Sequence, residues 1–318
     1  MRRAVSGLAI LLVFGTGLFS LAGHLGALDW RLDLAAHFRL AYALAFAAAL
    51  ALLAAVRRPR LAALAGVLLA LELVQVAPFW LAARPAGGPP SLRLVHFNGL
   101  SSNPRKADAV RWLAGAGADL VLVEEVDAAW ADALARAPGL APLDVLPRTD
   151  NFGLAWLVRH GAEDMVVRTW REELVPGIPA LAAELAVDGR RIAVLGVHTL
   201  PPVGADYAAR RDAALAATAV WARAQRAAGR APVVLGDLNA TPFSAPLRRL
   251  LADAGLVDSQ RGFGLQGSWP VGLPLRISID HCLHDPTLAT VARALGPDLG
   301  SDHLPLRVDL AWSSGQVF

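Results

Sequence analysis

Ala231-Pro232-Val233-Val234-Leu235-Gly236-Asp237-Leu238-Asn239-Ala240-Thr241-Pro242 decides how the chain folds, because an apolar run of strand length ends in an acid and an amide. The run reads as a strand buried on both faces. Side chains two positions apart on an extended backbone share a side, so Asp237 and Asn239 project together, and Gly236 permits close approach at the strand end. A carboxylate and an amide held this way suit a hydrated divalent cation and an anionic ligand. Gly-Asp-x-Asn is also a good turn, so the segment alone leaves both readings open.

Around this segment, apolar runs of strand length alternate with helical stretches. Leu92 to Phe97 reads as a strand, Pro104 to Ala116 as a helix, Asp119 to Val123 as a strand, and Asp127 to Ala135 as a helix with Asp127 at its N-cap. The middle is richer in strands: Phe152 to Arg159, Met165 to Trp170, Ala180 to Val187 and Arg191 to Val197, with Asp188-Gly189 as a hairpin turn. An Ala-rich helix from about Ala205 to Ala228 leads into the opening segment, followed by a short helix near Pro246 to Ala254 and two or three closing strands. Many strands with few crossover helices predict packed mixed sheets flanked by helices rather than a simple doubly wound sheet.

Upstream of residue 84 the composition changes. The 318-residue chain is 55% hydrophobic, more than a soluble protein of this size needs. The excess sits in three apolar segments, about 4–23, 35–56 and 61–83, each near the ~20 residues that cross a bilayer. Residues 1–83 are therefore expected to form a three-helix transmembrane region, 84–90 a linker rich in Pro and Gly, 91–311 one α/β domain and 312–318 a tail. A cleaved signal peptide would mimic the first segment, but two more apolar segments follow it. Arg2, Arg3 and the Arg57-Arg58-Pro59-Arg60 cluster fall on one side of the membrane and residues 24–33 on the other. The positive-inside bias places the N-terminus in the cytoplasm and everything after Arg84 outside it, in the inner or plasma membrane. Glu72 within the third segment needs a partner helix or a place toward an end.

The formal charge of +3 is almost wholly arginine, and no dense basic stripe marks the C-terminal domain as a nucleic-acid binder. Cys282, the sole cysteine, excludes an intrachain disulfide and reads as a buried, inert thiol.

Other strand ends carry polar groups of matching chemistry. Leu94 to Phe97 ends at Asn98, Leu120 to Val123 at Glu124-Glu125, Ile192 to Val197 at His198, and Ser301-Asp302-His303 precedes the last strand. Asp280 lies inside an apolar run, where an unpartnered carboxylate costs several kcal/mol, so it needs a donor, and a histidine is the obvious candidate.

In order, Asn98, Asp119 to Asp127, His198, Gly236 to Asn239, Asp280-His281 and Ser301-Asp302-His303 resemble the motif series of the endonuclease/exonuclease/phosphatase superfamily. Its members include deoxyribonuclease I-like nucleases, abasic-site endonucleases, sphingomyelinases and inositol-phosphate phosphatases. The resemblance spans nearly all of residues 91–311. It implies a four-layer α/β sandwich of two packed mixed sheets, with a magnesium- or manganese-dependent site at one end where water attacks phosphorus.

Carried over by residue, the resemblance makes Glu125 the main metal carboxylate, beside Asn98, with Asp302 helping through water. The family usually has Gln before this Glu. Here Glu124 stands there, which leaves two candidates for the metal carboxylate; Glu125 is preferred from the alignment of the motif, and strand alternation is expected to turn Glu124 to the opposite side. His303, oriented by Asp280, is expected to act as general base or phosphate contact; Asp237 to orient water or the leaving oxygen; Asn239 to donate to a phosphate oxygen; and His198 to act as donor or general acid. Asn98 has a turn-capping alternative, His198 a core-histidine alternative, and His281 a structural reading. His96, His160 and His284 have no motif context. Leu100 stands where some nucleases carry an acid, which weakens an abasic-site reading. Trp269 either lines the cleft or joins the core. The expected function is a membrane-anchored, metal-dependent phosphodiesterase or phosphatase acting on a phosphoester such as a lipid head group or nucleotide. An extracytoplasmic nuclease using Arg148, Arg261 or Arg276 is the alternative enzyme, and a silent membrane-presented binding module the alternative outside enzymes.

Overall fold

Strands that are apolar at odd and even positions can bury one face against a second sheet and the other under helices. The computed structural model, which describes residues 2–84 and 89–313, is built on this rule. Most of the expected linker (85–88) and of the expected tail (314–318) lies outside the described residues.

The first sheet holds β1 (Leu92–Asn98), β2 (Leu120–Glu124), β3 (Leu140–Leu146), β4 (Leu154–Arg159), β11 (Leu288–Leu295) and β12 (Leu306–Trp312), in the order β11-β12-β1-β2-β4-β3. The second holds β5 (Val166–Val175), β6 (Ile178–Val187), β7 (Arg190–Val197), β8 (Ala231–Asp237), β9 (Val257–Asp258) and β10 (Asp280–His284), in the order β5-β6-β7-β8-β10-β9. Each sheet has one parallel pair at its centre: β1 with β2, joined through α6 (Lys106–Gly115), and β7 with β8, joined through α8 (Ala205–Ala227). Parallel neighbours need such a crossover.

The inner rows Leu92/Leu94, Leu120/Leu122, Ile192/Val194 and Val233/Leu235 meet between the sheets in one buried cluster with Trp156 and Cys282. The alternate rows, Val95/Phe97 and Val121/Val123, lie under α6 and α7 (Ala128–Leu134), and Leu195 and Val234 lie under α8 and α9 (Ala245–Ala254). The result is the α–β–β–α sandwich expected of the sequence. Asp127 caps α7 by accepting from Trp130 N at 2.7 Å, and Asp188-Gly189 turns with φ of 50° and 74°, as a tight hairpin requires.

The N-terminal region departs from three uninterrupted spans. α1 (Arg2–His24) and α4 (Pro59–Val76) are long and apolar enough to cross a membrane. The second segment is broken at His37-Phe38 into α2 (Trp30–Ala36) and α3 (Arg39–Ala55), bent by 59°. Pro78 ends α4, and a single turn, α5 (Pro78–Leu81), follows. α1, α3 and α4 pack through Ala9, Val13, Ala49, Leu53 and Ala65. Glu72 finds its partners there: Arg39 Nη1 at 3.1 Å and the Ser20 hydroxyl.

The region is not a detached anchor. Asp33 of α2 is buried and accepts hydrogen bonds from Arg211 Nη2 (3.2 Å), Ser244 Oγ (2.7 Å) and Ala245 N (2.8 Å). Phe79 packs edge-on against Phe243, and Arg84 Nε donates to Gly262 O at 2.6 Å.

Candidate active site

Each inner row is apolar until its last positions and polar there. On β1, Leu92 and Leu94 are followed by His96 and Asn98; on β2, Leu120 and Leu122 by Glu124; on β7, Ile192, Val194 and Gly196 by His198; on β8, Val233 and Leu235 by Asp237. Period two thus delivers five polar side chains to one end of the inter-sheet space. Register aligns them further: Asn98 lies opposite Glu124, and Asp237 opposite Asp280.

The centre of the cluster is Asp237, which is 2% exposed. Its Oδ2 lies 3.7 Å from His198 Nε2 and 3.6 Å from His303 Nε2, and accepts from Asn98 Nδ2 at 3.4 Å. His198 donates from Nδ1 to Asn151 O at 3.2 Å, which leaves Nε2 facing Asp237, and Phe152 packs on its ring. His303 Nδ1 donates to Asp280 Oδ2 at 3.0 Å. Asn239 N donates to Asp237 Oδ1 (2.9 Å) and its side-chain Nδ2 to Thr199 O (2.8 Å), so one amide N–H of that side chain remains for a ligand.

Glu124 does not turn to the opposite side. It continues the inner row, and its carboxylate receives Asp237 N at 3.2 Å. Gly236 makes this possible: its φ is 148°, and a Cβ there would lie 2.1 Å from Val197 O and 2.6 Å from Glu124 Oε1. Glu125 reaches the cavity because its φ of 58° breaks the alternation. Leu100, Asn151 and Asn239 also have positive φ, so left-handed residues gather at this end of the sandwich.

Sequence reasoning passed over His96. It is fully buried, with Nε2 at 3.1 Å from Glu124 Oε2 and Nδ1 at 3.4 Å from Asp280 Oδ1, ion-pair distances without the alignment of a good hydrogen bond. The missed signal was its place two residues before Asn98, on the same face. His281 faces away, Nε2 donating to Ala240 O at 2.8 Å, and His284 is held by Asp285 O and Thr290 Oγ1; both are structural.

Burial and charge set the protonation states. Burial pushes Asp237 up to about 6, against the opposing pull of His303. Burial works against charge on His303, but Asp280 and Asp237 overcome it and push the imidazole up to about 10. Asp280, despite its burial, is held well below the ordinary carboxylate range by His303 and His96. Burial likewise disfavours charge on His96, yet Glu124 and Asp280 outweigh it and raise its pKa.

Above the cluster opens a cavity of about 820 Å³, lined by Asn98, Glu125, His198, Asp237, Asn239, Trp269, Asp302 and His303 among others. Trp269 belongs to the cleft: it donates from Nε1 to Asp302 Oδ2 at 3.0 Å, and its ring lies 6.4 Å from that of His303. Among the described residues, two sets of potential ligand atoms fall within 4.8 Å of one another, Glu124–His198–Asp237 and Asp237–Asp280–His303. In the second, an imidazolium already bonded to Asp280 is a donor rather than a ligand. Asn98, Glu125 and Asp302 supply the amide and carboxylate oxygens that hard cations prefer, all on the cavity wall.

Fold and site together define a class: a two-sheet α/β sandwich carrying carboxylates, amides and histidines at the carboxyl ends of its central strands. Residues 92–303 match the Endonuclease/Exonuclease/phosphatase family, and the chain belongs to it. Among solved structures, it is similar to a functionally unknown conserved protein from Enterococcus faecalis V583 (TM-score 0.58, 18% identity, covering 70% of this chain and 100% of that one). It is also similar to a mannosyl-6-phosphatase from Bacteroides thetaiotaomicron (TM-score 0.57, 16% identity, 70% and 100% covered). The human Nocturnin catalytic domain with bound sulfate gives a TM-score of 0.57 at 16% identity, with 71% and 96% covered. No curated protein matches the chain.

Proposed function

We propose that this protein is a membrane-anchored, divalent-metal-dependent phosphoester hydrolase. The observation that carries the reading is the convergence of Asp237, His198, His303 and Asn98 at one cavity floor. In the reaction, a water oxygen bonds to phosphorus and the ester oxygen leaves with the bonding pair and takes a proton. Asp237, raised to about 6, is ionised at neutral pH yet basic enough to accept the proton from water. His303, an imidazolium locked by Asp280, donates from Nε2 to a phosphoryl oxygen, and this favours the phosphate contact over the general base. The leaving oxygen takes its proton from Nε2 of a doubly protonated His198, whose Nδ1–H stays on Asn151 O, and Asn239 gives its free N–H to the phosphate. Asn98, Glu125 and Asp302 would hold magnesium or manganese, whose chemistry is Lewis-acid neutralisation of phosphoryl charge.

The test is hydrolysis by the full-length chain in detergent, with magnesium or manganese, of bis(p-nitrophenyl) phosphate, plasmid DNA and a phospholipid panel. Turnover of at least one substrate is expected, lost in Glu125→Ala and His303→Ala. Activity surviving both substitutions would refute the assignment, and inactivity throughout would favour the silent binding module.

For the anchor, α1, α3 and α4 are read as three spans, with residues 25–38 and the catalytic domain outside the cytoplasm. The contacts that seat α2 and Phe79 on the catalytic domain support placing both on one side. Cys282 is fully buried and burial pushes its thiol up to about 12, so engineered cysteines report against a silent background. In intact cells a membrane-impermeant maleimide should label Val203→Cys and not Arg58→Cys; the reverse would invert the topology.

A further inference from the structure

The cavity has two chemically different halves. One is the polar floor described above. The other is built from Trp30 and Leu34 of α2, Phe38 in the bend that follows, Phe152, Val203 and Tyr207. Phe38, Val203 and Tyr207 remain 43%, 76% and 43% exposed, an apolar lip with nothing packed on it. A phosphoryl group and a cation need far less than about 820 Å³.

Three observations say what the second half is for. First, among the described residues no arginine or lysine lines the cavity. Polynucleotide grooves need such cations to follow the backbone phosphates, so the lining argues against a nucleic-acid strand. Second, the apolar wall is held in place at a cost: Asp33 is buried to tie α2 to Arg211, Ser244 and Ala245, and His37 Nδ1 pairs with Thr241 Oγ1 at 2.9 Å. A helix present only to connect spans would not need these ties. Third, α2 bends directly into α3 and follows the end of α1, so the wall is continuous with the apolar helices read as membrane spans.

We propose that the substrate is a lipid phosphoester, its phosphoryl group over Asp237 and His303 and its apolar chain along Trp30, Leu34, Phe38 and Val203. This rests on the hydrolase reading and adds the chemical class of the substrate. The membrane-continuous wall delivers the chain, and a lining without arginine or lysine offers no track for the successive phosphates of a soluble polyanion.

Two homologous series test it with the full-length protein in phosphatidylcholine nanodiscs and magnesium or manganese. One is p-nitrophenyl alkyl phosphates from methyl to dodecyl, read by p-nitrophenolate. The other is the corresponding alkyl phosphates, read by phosphate release, which covers a monoester preference. Within each series the scissile group is constant and only the chain grows. Burial of a methylene raises kcat/KM about fourfold while the chain stays on the wall, so the dodecyl-to-methyl ratio should exceed about tenfold. Partition into the nanodisc also favours long chains, but equally for every variant. The ratio should therefore fall severalfold in Leu34→Ser and in Val203→Ser, the latter on an exposed loop where folding is not at stake. Equal kcat/KM for methyl and dodecyl esters, or a ratio unchanged in both variants, would overturn the lipid proposal and leave the hydrolase reading standing. No hydrolysis in either series would overturn the lipid proposal, and would overturn the hydrolase reading as well only if bis(p-nitrophenyl) phosphate and plasmid DNA also stay intact.

Discussion

Asp280 illustrates how much one buried carboxylate determines. It meets His303 Nδ1 at 3.0 Å and His96 Nδ1 at 3.4 Å, and so fixes which nitrogen of His303 faces Asp237. Replacing it by Asn keeps the size but cannot stabilise an imidazolium. Asp280→Asn is expected to lower kcat by about 10²–10⁴-fold, the worth of a positioned proton-transfer group, with a smaller change in KM. Steady-state kinetics on the best phosphoester substrate would show it; an unchanged kcat would mean His303 does not act through this pair. At this scale most of the candidate site was legible, because an acid, amide or histidine closing an apolar strand has few structural uses. His96 and Glu124 were not. Both look like ordinary continuations of a strand until the opposing sheet is in place, and Glu125 reaches the cavity only through a positive φ that no side-chain pattern encodes.

Among the elements, the strands buried on both faces were read with nearly their observed bounds, since continuous apolar runs flanked by turns have one good solution. β3 escaped because Pro142 and Asp144 interrupt it. It is an edge strand with a register shift between those residues, where such residues are tolerated. α2 escaped for the opposite reason. The apolar run hides a break at His37-Phe38, and Asp33, His37 and Arg39 are all buried against protein rather than exposed as linker residues would be. The tie is specific: Arg211 joins Asp33 at 3.2 Å and, through Nη1, Asn239 O at 3.2 Å, so the anchor of α2 and a site loop share one guanidinium. Removing one member of a buried pair costs about 3–5 kcal/mol, with Asp212 at 2.8 Å left to soften the loss here. Asp33→Ala should therefore release α2, seen as faster amide exchange over residues 30–36 with the sheets unchanged. Exchange that remains slow would show that apolar packing alone seats the helix.

For the molecule as a whole, two parallel strand pairs face each other across the sandwich, and their carboxyl ends are where all the site chemistry lies. The opposite ends of the same sheets carry arginine-rich turns such as Arg190 and Arg191. The apolar N-terminal helices attach at the end that holds the candidate site. The proposed reaction is a metal-dependent hydrolysis in which Asp237 takes the proton from water. It is tested most directly by titrating magnesium into chelator-treated full-length protein and measuring phosphoester turnover, for the wild type and Asp237→Asn. Expected are no turnover without metal, saturable recovery in the wild type, and a loss of about 10²-fold or more in Asp237→Asn at every metal concentration. Turnover that persists in chelator, or an Asp237→Asn variant that recovers fully, would contradict it.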